Sequence, residues 1–145
     1  MNTNHFGDES GVAAVEFALI LLPLLLIIFG IINFGVLLSN QAVITNAARE
    51  GARWASIHTT TTYGTGCTNS YSITPVDPCQ VAYTYASAKL INFSSGNTLL
   101  AGFISPGVYT RGAPQSVTVT YTYSEVGWVL GTSRQYDALA VMLHE

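Results

Sequence analysis

Phe17 to Leu38 reads FALILLPLLLIIFGIINFGVLL, 22 residues without a charge. As an α-helix rising 1.5 Å per residue it spans about 33 Å, close to the thickness of a bilayer's hydrocarbon core. Apolar side chains fall on every face, and a soluble core helix of that kind would need a larger protein around it. Asn33 is its one strongly polar side chain. Pro23 removes a helix hydrogen bond, and Gly30 and Gly35 add local weakness. A cleaved signal peptide fits poorly, because its apolar run is about 7–15 residues and follows a basic region. Here the run is longer, no Lys or Arg precedes it, and Ser39-Asn40-Gln41 is not a small-x-small cleavage site. The segment is expected to stay in the protein as a membrane anchor.

Outward from this segment the composition changes. The chain has 145 residues, 49% apolar and only 9% charged, but the apolar excess is concentrated in the first forty. The remainder of the chain is rich in Thr, Ser, Tyr and Gly, with room for one small domain. A net charge of −3 and five scattered basic residues give no footprint for nucleic acid. Helical character continues over Gln41 to Ile57, QAVITNAAREGARWASI. Its apolar side recurs at Val43, Ala47, Gly51 and Trp54 or Ala55, with Thr45, Arg49 and Arg53 on another side. The expected element is one long helix over 12–57, crossing the membrane over about 17–38 and amphipathic beyond it.

On the other side of the span the junction reads Asp8-Glu9-Ser10-Gly11-Val12-Ala13-Ala14-Val15-Glu16-Phe17. A carboxylate at the edge of an apolar segment costs several kcal/mol if it enters hydrocarbon unpaired. Read alone, Glu16 can sit among headgroups near a helix N-terminus, where the macrodipole favours an anion. In a bundle of such helices it can instead be offset by the α-amino group of a neighbour's N-terminus, which would fix the axial stagger of subunits.

Gly11, four small or apolar residues, then Glu16-Phe17 resembles the processing site of type IV pilin-like precursors. The stretch GVAAVEFALILLPLLLIIFGIINFG with the later AAREGARWA is similar to the opening of the TadE-like family of tight-adherence, or Flp-type, pilus systems. The resemblance implies a leader over 1–11 and cleavage by a prepilin peptidase between Gly11 and Val12. Glu16 and Phe17 would then act in helix register and assembly. It implies other pilins or pseudopilins, an inner-membrane assembly platform and membrane lipid as partners. The domain over 58–145 would lie outside the cytoplasm. Major pilins of such systems are usually much shorter, which points to a minor subunit. Two alternatives are a minor pseudopilin of a type II secretion system and an uncleaved, membrane-tethered binding or adhesive module. One departure stands out. The leader holds His5, Asp8 and Glu9 but no Lys or Arg, whereas Arg49 and Arg53 lie after the span, a bias that opposes export of the C-terminal part.

Beyond the helix, Cys67 and Cys79 are the only cysteines and enclose a loop of 11 residues. A disulfide suits an exported domain and contributes about 3 kcal/mol in the chain-entropy model, the alternative being two buried thiols. No second Cys or His pair supplies zinc spacing. Asp77-Pro78-Cys79-Gln80 reads as a helix start with Asp77 as N-cap, and the helix is expected to reach about Asn92. Thr98 to Ile104 is expected as a short strand. Ser116 to Tyr123, SVTVTYTY, alternates an apolar with a hydroxyl face and is the clearest strand. Gln135 to Leu143 is expected as the last, with Trp128 and Leu130 packing in the connection. The fold class is α+β, a small antiparallel sheet and one helix laid on Val43, Ala47 and Trp54 of the long helix.

No catalytic constellation emerges. His5, His58 and His144 are read as solvated, Gly64-Thr65-Gly66 lacks the lysine and setting of a phosphate loop, and Asp77, Glu125 and Asp137 are scattered. The Thr59 to Thr62 run and the eight tyrosines are read as a linker and ordinary strand residues before an adhesive surface. The expectation is a structural protein, without enzyme activity, metal or cofactor.

Overall fold

A computed structural model describes residues 9–58, 69–74, 77–92, 96–104, 111–124 and 133–145. Helix α1 is Glu9–Ile57, helix α2 is Pro78–Ser87, and strands β1, β2 and β3 are Thr98–Ile104, Pro114–Ser124 and Ser133–Leu143. The class is α+β, with a three-stranded antiparallel sheet in the order β1-β2-β3. The chain divides into two compact units between Gly35 and Val36.

The first unit holds the start of α1. From Gly11 to Gly35 every side chain is exposed except Leu21 and Asn33, which are intermediate. Pro23 lies inside the helix and does not end it. An uninterrupted sleeve of exposed Leu, Ile and Phe has no stable place in water and suits hydrocarbon, where the helix satisfies its own backbone.

The second unit holds the rest of α1, α2 and the sheet. In β2 the alternation sends Gln115, Val117, Val119, Tyr121 and Tyr123 inward, while Ser116, Thr118, Thr120 and Thr122 lie on the other face. Ala101 of β1 and Ala138 and Ala140 of β3 complete the inner face. The inner-face residues other than Gln115 form one cluster with Val36, Ile44, Ala47, Ala48 and Ala52 of α1 and with Cys79, Ala82 and Ala86 of α2. Gly51 lets the elements close in: a Cβ there would sit 2.8 Å from the Pro78 carbonyl oxygen, 3.1 Å from Ala82 Cβ and 3.2 Å from Val117 Cγ1.

Three expectations need correction. The buried stripe of α1 runs through Val36, Asn40, Ile44, Ala47, Ala48, Gly51, Ala52 and Ala55, leaving Val43 only partly buried. Trp54 lies at its margin and stacks on His58, ring centroids 4.0 Å apart at 12°. Small residues win the core side because the packing is close, and an indole would hold α2 off.

Helix α2 ends at Ser87, five residues short of Asn92. There Lys89 N and Leu90 N both donate to the Ala86 carbonyl, at 3.0 and 2.9 Å. The turn delivers Ile91 to Asn40, whose Oδ1 accepts from Ile91 N at 2.9 Å while its Nδ2 donates to Ile91 O at 3.0 Å. The start of α2 is as expected: Asp77 is the N-cap, its Oδ1 accepting from Gln80 N at 2.7 Å, with Pro78 first in the helix. Trp128 and Leu130 lie outside the described residues.

The third correction concerns His144, which is buried rather than solvated. The β2–β3 pairing continues past Leu143, with His144 N donating to Ala113 O at 2.9 Å and Gly112 N to His144 O at 2.8 Å. The imidazole Nδ1 then donates to Ser56 O at 2.8 Å, and Glu145 N reaches the same oxygen at 3.3 Å. A carbonyl only accepts, so Nδ1 carries the proton. The last carbonyls of a helix lack intrahelical partners, and here His144 and Glu145 supply them for Ser56.

Candidate functional site

The residues singled out at the junction all lie on α1 in the first unit. Gly11 and Val12 fall within the first turn, where backbone N–H groups have no intrahelical acceptor and fraying is easiest. Val12 and Phe17 are exposed, as are Gly11 and Glu16. Val12 and Glu16 are four residues apart, so both project from one face, one turn above the other. An amino group created at Val12 would therefore share a helix face with the carboxylate of Glu16. The nearest arginine along the helix is Arg49, in the second unit. Among the described residues of the first unit the carboxylate has no basic side chain to pair with, and it stands at the edge of an apolar run.

The second half of α1 serves a different purpose. Apart from Ile44 its buried side chains are small, and its one buried carboxamide is used in full by the Ile91 backbone. That pairing was not foreseen in the sequence; its signal is a lone Asn on an otherwise apolar stripe. Other side chains tie irregular segments to the sheet and to α2. Asn69 Oδ1 accepts from Ala101 N at 2.6 Å, and Thr84 Oγ1 accepts from Ser72 N at 3.0 Å. The Tyr121 hydroxyl donates to Asn92 Oδ1. Burial raises the Tyr121 phenol above its ordinary value, Tyr123 adds to the rise, and a hydrogen bond with Asn97 opposes it.

Of the two cysteines, Cys79 is fully buried in the first turn of α2, and Cys67 lies outside the described residues. Among the described residues no group of three or more His, Cys, Asp or Glu side chains is placed to hold a metal ion. Among the described residues Gln115 is also the one orphan amide that the sheet buries completely, with neither Oε1 nor Nε2 hydrogen-bonded. The outer face carries exposed Leu100 on β1 and Leu139, Val141 and Leu143 on β3.

Residues 11–53 match the family described as TadE-like protein. The chain carries a TadE-like segment. No curated protein and no solved structure matches it. The TadE-like segment begins at Gly11, takes in the whole apolar run, and ends inside the buried small-residue stripe, after Gly51 and Ala52. It associates the chain with Tad pilus systems. It lies within the one helix among the described residues that is long and apolar enough to cross a membrane, so the chain reads as a single-pass, membrane-anchored protein. The sheet lies wholly beyond the match.

Proposed function

We propose that this chain is a minor pilin or pseudopilin-type structural subunit of a Tad pilus, stored in the inner membrane and processed by a prepilin peptidase between Gly11 and Val12. The observation that carries the reading is the order of features in the TadE-like segment: Gly11, Val12 and Glu16 precede the uncharged run, which Phe17 opens. Cleavage would place an α-amino group one helical turn from Glu16. In a bundle, the amino group of one subunit would offset the Glu16 carboxylate of the next, and a wrong axial stagger would leave a charge unpaired in lipid. The chain acts by helix packing and not as an enzyme. Its partners are the peptidase, other pilins and the inner-membrane assembly platform. The domain from residue 58 onward faces away from the cytoplasm.

Export also suits a Cys67–Cys79 bridge, which is supported by the absence of any free cysteine among the described residues. The bridge would fasten the segment after α1 to the start of α2.

The test is co-expression with and without the cognate prepilin peptidase, followed by mass spectrometry of the N-terminus. A new terminus at Val12, lost in Gly11→Ala, is the expected result. An intact Met1 terminus in both cases would remove the processing claim. A second reading, an uncleaved tethered binding module, is favoured by the exposed Leu139, Val141 and Leu143 on the outer face of β3. It predicts persistence of the leader and no co-purification with pilins.

A further inference from the structure

Within the span from Phe17 to Leu38, Asn33 is the side chain that lipid cannot satisfy. It sits two residues, about 3 Å at 1.5 Å per residue, before the exposed sleeve of α1 ends at Gly35, and five residues before the uncharged run ends at Leu38. Its surface is partly exposed, and no hydrogen bond to its carboxamide is found among the described residues. An amide left dry and unpaired in hydrocarbon is costly, which makes a partner for it valuable.

The surroundings of Asn33 admit a second helix. Leu22, Leu26 and Gly30 lie eleven, seven and three residues before it, which at 100° per residue places them along one stripe with Asn33. Leu22 and Leu26 are exposed, and a Cβ built on Gly30 would meet nothing within 4 Å. The glycine opens a gap one turn from the amide, where a neighbouring backbone can approach closely.

We propose that Asn33 pairs with Asn33 of a second copy of this chain in a parallel, two-fold membrane-helix dimer. A carboxamide carries both donors and an acceptor, so two of them facing across a two-fold axis satisfy each other reciprocally, Nδ2 to Oδ1 in both directions. Identical chains inserted with the same orientation hold their Asn33 groups at the same depth, a match that a different apolar helix would have to reproduce by its own sequence. The pair fixes register at one end of the span, as a lone buried Asn does in a coiled coil. The inference rests on membrane anchoring and is independent of cleavage at Gly11 and of the role given to Glu16.

The experiment uses the intact, uncut chain without peptidase, reconstituted in phosphatidylethanolamine–phosphatidylglycerol vesicles. Energy transfer is measured between donor- and acceptor-labelled copies as lipid dilutes the protein. The wild type is expected to associate saturably, and Asn33→Leu to weaken association about tenfold. Asn33→Gln retains most of it, because the carboxamide is kept. Random-proximity transfer for the wild type, or wild-type association by Asn33→Leu, would overturn the proposal. Since no peptidase is present, either result leaves the processing claim to its own mass-spectrometric test.

Discussion

Before Gly35 and after Val36, α1 is built from different residues for different solvents. The first part is bulky and apolar all round, and almost every side chain is exposed. The second has one narrow buried side made of Ile44 and small residues, with Arg49, Glu50 and Arg53 exposed elsewhere. The difference shows that a continuous run of helical backbone says little about what a helix does. Side-chain size and its angular distribution decide whether lipid or a protein core covers it.

Matched substitutions in the two parts put that contrast at risk. The largest effect is expected at the isoleucines. Ile44 is fully buried, and Ile44→Ala should destabilise the second unit by about 3 kcal/mol, in the range of core truncations. Ile31→Ala, at a position 67% exposed, should leave that unit unchanged. The check is hydrogen-exchange protection of β2 amides across a urea series on the full chain in detergent. Equal losses from both would mean that the two parts share one core.

A smaller contrast is expected at the glycines. Gly51→Ala drives a methyl group to 2.8 Å from a backbone oxygen and should cost about 2 kcal/mol, as overpacking does. Gly30→Ala meets open space and should leave thermal melting of the second unit where it was. If Gly51→Ala melts like the wild type, the close approach of α1, α2 and β2 is not what holds the domain together.

The asparagines give the finest comparison. Asn40→Leu leaves the Ile91 N–H and carbonyl without their partner and should cost about 1.5 kcal/mol of domain stability. Asn33→Leu should leave domain stability alone and weaken association in vesicles instead. Denaturant midpoints measured for both variants would separate an amide that serves the fold from one that faces a neighbour.

Much of this architecture was legible in one dimension. An apolar run of bilayer length has no polar side to turn to water, and the alternation from Ser116 to Tyr123 has only one face to bury, so pattern alone dictates the anchor and the central strand. The helix start at Asp77 is a local device, a carboxylate capping an amide three residues on, and it too reads directly. The junction of Gly11, Val12, Glu16 and Phe17 is equally local.

Tertiary structure decided the rest, because it depends on partners far apart in sequence. Trp54 or Ala55 was a choice that periodicity left open, and the close packing at Gly51 settled it in favour of alanine. Past the end of α2, the Ile91 backbone is held by Asn40, 51 residues earlier in the chain. His144 looks like a loose end in the sequence, yet strand pairing carries it to the Ser56 carbonyl, 88 residues away. Local propensity and solvent preference are written residue by residue. The pairing of a buried polar group with its partner exists only once the chain has folded.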